Sequence, residues 1–378
     1  MTAPPWIVIG NPENRRVTMF QEALRARGCA EATVISWRAL LEQGLQPLEQ
    51  VGHSEALVRI DSAGEDFEVE RGLLTLGHGD AVAAGVSAIE PAAVERLQPD
   101  RGRILCPRQA HLGFERLLGD LARLFSRRPG WRVLNTPAAI AELFDKRRTS
   151  RRYREAGLPV PEFLDGIDSV DALRAAMDGR GWRSAFVKLS CSSSASCLAV
   201  YHRRPDGDHA MTTTEMASTG WYNSLRVRRV SGAALEQLLG FLIREGSQIE
   251  RQVPKARLDG AFFDCRVLCV AGEPAFTVVR QNRHPITNLH LGGWRGDIGS
   301  FLARVPAAEL KAAHASCRAV AALHESFQLG VDLMYEAGFA GHRVIEANAF
   351  GDLLPRLERD GLSVYEWQVR EACRRYGE

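Results

Sequence analysis

The segment 330–355 constrains the fold of this 378-residue chain more than any other stretch. It reads GVDLMYEAGFAGHRVIEANAFGDLLP, with apolar runs at 331–335 and 344–349 around a glycine-containing turn. Two apolar runs that flank such a turn predict a β-hairpin. Because side chains alternate between the two faces of a strand, the position of the turn decides which polar residues meet on one face.

If the turn centres on Phe339, three oxygen-bearing side chains share a face of this hairpin. Alternation then places Asp332 opposite Glu346, with Asn348 two residues further along. Two adjacent buried carboxylates are costly unless a cation compensates them, and all-oxygen ligands suit Mg²⁺ better than Zn²⁺. The hairpin alone leaves two interpretations open, a metal site or an ordinary turn with acidic residues.

Composition narrows the classes of protein to consider. Hydrophobic residues make up 45% of the chain and charged residues 25%, which is typical of a soluble globular protein with two or three domains. The net charge of +2 gives no electrostatic support for a nucleic-acid partner. No apolar run is long enough to span a bilayer, and the N-terminal residues lack a signal-peptide pattern. A cytoplasmic protein without a membrane partner is expected.

Lysine is rare in this chain, with only four among the 48 basic residues, at Lys146, Lys188, Lys255 and Lys311. Where a chain so rich in arginine uses lysine, the compact ammonium is a candidate for binding phosphate. Chance codon usage is the alternative.

Cysteine usage indicates a reducing compartment. The eight cysteines are scattered without a CxxC pair, so we interpret them as small buried hydrophobes and not as disulfides or zinc ligands. Cys191 and Cys197 flank a loop of small residues. His111 and Glu115 lie in a helical stretch without metal or triad spacing, and we interpret them as structural.

The N-terminal residues predict a parallel sheet. Apolar runs at 6–9, 32–36 and 56–60 alternate with a helical pattern, as in a βαβ unit. Asn11 and Arg15 follow the first of these strands and Asp61 follows the third, at the edge where parallel sheets bind ligands. Substrate contact and plain turn chemistry both remain open for them.

Two stretches predict sites for an anion. Asp145 is a good N-cap, which places Lys146 beside the free N–H groups of a helix start. The stretch AFVKLSCSSSASCLAVY predicts a strand that carries Lys188 and a small-residue loop at 190–196, and such loops approach phosphate closely. The alternatives are a solvated lysine and a loop without a ligand. The hydroxyl groups at the centre of the loop belong to Ser192, Ser193 and Ser194.

A long antiparallel hairpin follows. The runs 262–270 and 275–279 flank the turn AGEP, with Arg266 on the first arm and Arg280 at the end of the second. The next loop contains Asn288 and is too rich in functional groups to serve as a connection alone. Helices are expected at 306–327 and 362–376.

Taken in order, these pieces resemble the ATP-grasp superfamily of carboxylate-amine ligases, especially the branch similar to enzymes that add glutamate to a ribosomal protein. The resemblance covers about 131–355. It rests on the ordered motifs VLNTPAAIAELFDK, AGLPVP, FVKLS, IERQV, DCRVLCV, VVRQN, TNLHLGG, GVDL and VIEANAFGDLLP.

The resemblance implies an α/β fold in which two α+β subdomains clamp ATP. The expected organisation is an N-terminal α/β domain at 1–130 and an ATP-grasp domain at 131–378. Within the latter, the lid subdomain is expected at about 160–248 and the metal-binding subdomain at about 249–356.

The resemblance also implies roles for residues. ATP and Mg²⁺, usually two ions, are the expected cofactors, with Mn²⁺ as an alternative metal. The expected metal ligands are Asp332, Glu346 and Asn348. The expected nucleotide contacts are Lys146, Lys188, the loop with Ser192, Ser193 and Ser194, and Glu250, with Lys255 where the family has a ribose-binding carboxylate. The basic and polar residues expected at the transferred phosphoryl group are Arg266, Arg280 and Asn288.

The implied activity is an ATP- and Mg-dependent ligase that activates a carboxylate as an acyl phosphate and joins it to an amine. The expected partners are small-molecule or peptide carboxylates and amines, and a homodimer is left open. An ATP-grasp kinase that phosphorylates a hydroxyl and a non-catalytic ATP-binding module are the alternatives. The residues before about 130 indicate no substrate.

Overall fold

A computed structural model describes residues 4–191, 197–351 and 354–377, apart from the side chain of His290. The first sheet is parallel, as the sequence predicts, because each of its strands is followed by at least one helix that returns the chain to the same edge. Its strands are β1 (Trp6–Ile9), β2 (Thr33–Ile35), β3 (Ala56–Ile60) and β4 (Trp131–Val133), in the order β2-β1-β3-β4.

Eight helices accompany this sheet among the described residues. They are α1 (Arg15–Ala26), α2 (Trp37–Gln43), α3 (Gln46–Glu49), α4 (Phe67–Ala83), α5 (Pro91–Val94), α6 (Pro107–Ser126), α7 (Pro137–Phe144) and α8 (Lys146–Glu155). The predicted caps are confirmed, because Thr136 accepts a hydrogen bond from Ala139 N and Asp145 accepts from the backbone of Arg147 and Arg148.

The residues beyond β1 and β3 have structural partners. Asn11 donates to Gly64 O at 3.1 Å, and the buried carboxylate of Asp61 accepts from Arg59 Nη2 at 3.0 Å. These contacts favour turn chemistry over substrate contact at this edge of the sheet.

The second sheet is mainly antiparallel and has a core of its own. Its strands are β5 (Phe163–Leu164), β6 (Ser184–Leu189), β7 (Leu198–His202), β8 (His209–Ala217), β9 (Gly220–Ser231) and β10 (Ser247–Arg251), in the order β5-β10-β6-β7-β8-β9. One face packs against α9 (Val170–Gly179) and α10 (Gly232–Arg244), and this face includes Val187 and Ile249. The opposite face therefore carries the alternate residues, among them Lys188.

The third sheet is also antiparallel. Its strands are β11 (Arg257–Leu258), β12 (Ala261–Val270), β13 (Glu273–Asn282), β14 (Trp294–Arg295), β15 (Gln328–Tyr335) and β16 (His342–Asn348). Their order is β14-β13-β12-β15-β16, with β11 paired to β12. The accompanying helices are α11 (Ile298–Arg304) and α12 (Ala307–Ala322), and 3₁₀ turns lie at Leu289–Leu291 and Ala337–Phe339.

The C-terminal residues form a strand pair and a helix, β17 (Glu358–Arg359), β18 (Leu362–Ser363) and α13 (Val364–Tyr376). Helix α13 begins two residues later than predicted because Ser363 is its N-cap, in a capping box with Glu366. Helix α12 ends at Ala322, before the predicted 327, because the chain there turns into an extended segment where Ser326 bridges to Asn135.

The first and third sheets share one continuous apolar core, which includes Ile7, Val58, Val267 and Val331. The second sheet packs against the loop between β13 and β14 through a smaller apolar cluster, in which Leu198 and Val200 meet Ile286 and Leu291. The polar faces of the second and third sheets thus lie on either side of a common cleft.

All eight cysteines are free thiols. Four of them are buried, as the sequence interpretation expects, and the other four are partly exposed. No helix in the described part of the chain combines the length and apolar character needed to cross a bilayer.

Candidate functional site

The third sheet presents one apolar and one charged face because its central strands alternate strictly. On β12, Cys265 and Val267 face the apolar core, so Asp264 and Arg266 face the cleft. The register then continues the charged face across the sheet, since Asp264 lies opposite Arg280 on β13 and Arg266 lies opposite Asp332 on β15.

Asp332 is the centre of this charged face. Its carboxylate accepts from Nε and Nη2 of Arg266, the latter at 3.1 Å, and lies 3.1 Å from Nη2 of Arg280. Burial alone would raise the pKa of Asp332, but the two guanidinium groups outweigh burial and hold the pKa well below its usual range. Asp332 is therefore a carboxylate at neutral pH.

The hairpin of β15 and β16 brings the three predicted metal ligands to the same face. Asp332 lies opposite Glu346, as predicted, and Asn348 lies opposite Gly330. Ile345 is an extra residue in β16, since Leu333 pairs with Val344 and the next pair is Asp332 with Glu346.

Two of the rare lysines reach this face from other elements. Lys146, in the first turn of α8, places its ammonium 3.7 Å from Glu346 Oε2. Lys188, on β6, lies 2.9 Å from Oε1 of the buried Glu250. Burial alone would lower the pKa of Lys188, but Glu250 and Glu346 outweigh it and raise the pKa, so this lysine stays charged.

The loop after β6 is anchored at its first residue. Ser190 O accepts from Lys146 N at 3.0 Å, and Ser190 Oγ donates to Asp145 at 2.5 Å. The start of the predicted phosphate loop is thereby joined to the helix start that carries Lys146. The predicted contacts Ser192, Ser193 and Ser194 lie outside the described residues.

Lys255 lies at the other end of the charged face. Its ammonium donates to Pro285 O and Thr287 Oγ1, each at 3.0 Å, and to Asp264 Oδ2 at 3.4 Å. Burial lowers the pKa of Lys255, while the charge of Asp264 opposes that shift. Lys255 therefore ties the loop before Asn288 to β12.

Asn288 directly follows Thr287, whose hydroxyl donates to Asp264. The chain passes so close to itself here that a Cβ on Gly293 would lie 2.8 Å from Asn288 O, which only glycine avoids. The loop thus holds Asn288 beside the charged face by short backbone contacts.

Sequence reasoning missed three residues of this site. Asp264 and Thr287 belong to the charged network, and the alternation of Asp264 with Arg266 on one strand was the available signal. Gln248 lies opposite Lys188 in the β10–β6 register and is fully buried. Both amide atoms of Gln248 lack a hydrogen-bond partner within the described part of the chain, and a glutamine in an apolar strand gave no signal of this.

Comparisons with known proteins address the fold. No protein-family model matches the chain, and no curated protein sequence matches it. The chain is similar to the ATP-grasp ligase PsnB in complex with a minimal precursor, with a TM-score of 0.55, 15% identity and coverage of 99% of both chains. PsnB has also been solved with a minimal precursor, Mg and ADP, and that structure has a TM-score of 0.53 and 15% identity, over 99% of this chain and 98% of PsnB.

Two further solved structures are similar over nearly the whole chain. D-cycloserine synthetase DcsG has a TM-score of 0.55 and 14% identity, over 97% of this chain and 98% of its own. The macrocyclase MdnC from Microcystis aeruginosa MRC, bound with the precursor peptide MdnA, has a TM-score of 0.52 and 12% identity. The match covers 96% of this chain and 98% of MdnC. The predicted fold class is confirmed: the protein has the fold of the ATP-grasp superfamily.

Proposed function

We propose that this protein is an ATP- and Mg-dependent ligase that activates a carboxylate as an acyl phosphate and joins it to an amine. The observation that carries the proposal is the convergence of Lys146, Lys188, Asp332 and Glu346 on one cleft, from four different elements. The ligase fold of the similar structures supports the reaction class.

The hairpin offers a donor set that fits Mg²⁺. Asp332, Glu346 and Asn348 supply oxygen atoms only, and Mg²⁺ is usually held by one or two carboxylates together with water and substrate phosphates. Asn348 is proposed as the third protein donor, and within the described ranges no three His, Cys, Asp or Glu side chains gather as metal ligands. When bound, the metal neutralises charge on the phosphate oxygens during transfer.

The lysines are proposed to bind the phosphates. Among the described residues, five basic side chains of the site pair with four carboxylates, and such a concentration of cations favours a polyphosphate. Lys146, from the start of α8, and Lys188, from β6, contribute two of these cations. Glu250 and Gln248, which are neighbours of Lys188 on the same face of the second sheet, are proposed to contact the nucleoside.

The two arginines are proposed to act on the transferred phosphoryl group. Arg266 and Arg280 share Asp332 as a partner, and both are buried, so their charges act in a medium of low dielectric constant. Arg266 also donates to Gly351 O, and Arg280 also donates to Asp264 Oδ1, so both side chains are held in place from several directions. Guanidinium charge positioned in this way suits phosphate or acyl-phosphate oxygens and stabilises the transition state without a covalent intermediate.

The substrate classes remain those expected from the sequence. PsnB and MdnC were solved with peptide precursors, whereas DcsG is named for a small-molecule product. A peptide and a small molecule are therefore both supported as the carboxylate or amine partner.

A screen for phosphate release tests the proposal. ATP, Mg²⁺ and pools of carboxylates and amines are incubated with the protein, and phosphate and new amides are quantified. Stoichiometric phosphate and amide support the ligase. A phosphorylated acceptor without free phosphate supports the kinase, and ATP binding without turnover in any pool supports the non-catalytic module.

A further inference from the structure

A cluster of polar side chains surrounds Cys191, outside the charged face described above. Arg108, His111 and Glu115 follow i, i+3, i+7 spacing and so share one face of α6. Arg108 Nη1 donates to Cys191 Sγ at 3.1 Å, and the side chain of His111 lies near enough to shift the pKa of the same thiol. His111 Nε2 also lies 3.5 Å from Glu115 Oε1. The sequence interpretation of His111 as structural missed this arrangement because Cys191 is 80 residues further along the chain.

The charges around the sulfur favour its ionised form. Burial alone would raise the pKa of Cys191, and Asp145 acts in the same direction, but His111 and Arg108 outweigh both and lower the pKa. Burial alone would lower the pKa of His111, but Cys191 and Glu115 raise the pKa to about 9. The N-terminus of α6, with its partial positive charge, adds to the same field.

Cys106 provides an internal comparison. It lies just before α6 and is partly exposed, as Cys191 is. Burial and the nearby carboxylate of Glu245 raise the pKa of Cys106 to about 11. Two cysteines near the start of α6 thus have opposite electrostatic surroundings, and Cys191 is the one whose thiol accepts a hydrogen bond from Arg108.

We propose that Cys191 is a modification site, a thiolate paired with the His111 imidazolium that reacts with peroxide-class oxidants. The thiolate attacks one peroxide oxygen, the S–O bond forms as the O–O bond breaks, and the sulfur is oxidised to a sulfenic acid. The other oxygen is reduced, takes the imidazolium proton and leaves as water, or as an alcohol from an organic peroxide. A free thiol condenses with the sulfenic acid to give a mixed disulfide and water, and a second thiol then attacks that disulfide, releasing the Cys191 thiol and a disulfide of the two reductant thiols.

The position of Cys191 gives the modification a structural consequence. Its neighbour Ser190 accepts from Lys146 N and donates to the Asp145 side chain. An oxidised or thiol-bound Cys191 places a larger polar group one residue from these contacts. The proposal goes beyond the ligase activity and does not depend on it.

Alkylation kinetics in the wild-type chain provide the first test. Limiting iodoacetamide is added at pH 7, and peptide mass spectrometry gives the labelling rate of each cysteine. Cys191 is expected to react about tenfold faster than Cys106, because thiolates are the reactive species. Equal labelling, or faster labelling of Cys106, overturns the proposal without any variant having to fold.

A histidine variant and an oxidation experiment with hydrogen peroxide complete the test. His111→Gln is expected to slow Cys191 labelling about tenfold at pH 7. The control is His78→Gln, which removes a histidine of α4 whose ring faces Glu90, and this variant is expected to label Cys191 at the wild-type rate. Hydrogen peroxide with a 1,3-dione probe is expected to tag Cys191 in the wild type. An unchanged rate in His111→Gln, or tagging confined to other cysteines, contradicts the proposal.

Discussion

Asp332 and Glu346 face each other across the β15–β16 ladder because β16 contains one extra residue, Ile345. Strict alternation from the buried Val344 would turn Glu346 toward the apolar core shared with the first sheet. The bulge keeps Glu346 on the polar face with Asn348. The proposed metal-binding geometry thus depends on backbone register as well as on the acidic side chains.

The carboxylate of Glu346 is expected to be essential for ATP turnover. Because Glu346 is partly exposed, Glu346→Ala is expected to change the free energy of unfolding by less than about 1 kcal/mol. Loss of a metal ligand at the transferred phosphate is expected to reduce Mg-dependent ATP turnover by about 10²-fold or more. Turnover and thermal unfolding are measured on the same samples.

Glu336→Ala is the matched control, since Glu336 lies at the far end of the same hairpin and pairs with Arg343. It is expected to retain turnover. Undiminished turnover in Glu346→Ala rejects the metal assignment.

Variants of Lys188 and its partner Glu250 distinguish an effect on stability from an effect on ATP affinity. Lys188→Met leaves the Glu250 carboxylate buried without its cation, which is expected to cost about 3–5 kcal/mol of stability. Adding Glu250→Gln is expected to recover most of that stability but not the ATP affinity. Urea unfolding and ATP titration report the two quantities. Recovery of ATP binding in the double variant contradicts the phosphate role of Lys188.

The buried amide of Gln248 is expected to serve the nucleotide and not the fold. Because this amide has no partner within the described residues, Gln248→Met is expected to leave stability unchanged or to increase it. ATP affinity is expected to fall about tenfold, or 1.4 kcal/mol. A variant that binds ATP like the wild type but unfolds more easily supports a structural role instead.

Lys255 is expected to hold the loop before Asn288. The ammonium of Lys255 donates to Asp264, Pro285 and Thr287. Because Lys255→Met loosens this loop, the variant is expected to lower turnover. Because these contacts do not involve a ribose, the ratio of the affinities for ATP and 2′-deoxyATP is expected to stay unchanged. The two affinities are measured by titration of wild type and variant. A change in the ratio supports the ribose contact expected from the sequence.

The local structure was predictable where one strong signal decides it. Asp145 and Thr136 cap their helices as expected, because a short polar side chain before an apolar-periodic segment has few alternatives. The pairing of Asp332 with Glu346 was predicted correctly, although nearer the turn Tyr335 pairs with His342, which a turn centred on Phe339 does not give. The extra residue Ile345 shifts the pairing by one position, so the register near the turn differs from the register at Asp332 and Glu346.

The long-range contacts of the site were harder to predict. The partners of Lys255 and Gln248 depend on how the sheets pack, and neither residue belongs to a local pattern. The contact of Cys191 with Arg108 joins a loop to a helix of the N-terminal region. Such contacts follow from tertiary structure, which spacing along the chain does not encode.

Transfer of a carboxylate oxygen tests the central claim most directly. Substrate pools carrying ¹⁸O in their carboxylates are turned over with ATP and Mg²⁺, and the released phosphate is analysed by mass spectrometry. Because the attacking carboxylate oxygen stays on phosphorus when an amine displaces phosphate, one ¹⁸O per phosphate is the predicted result. Released phosphate without ¹⁸O would contradict activation of a carboxylate by this protein.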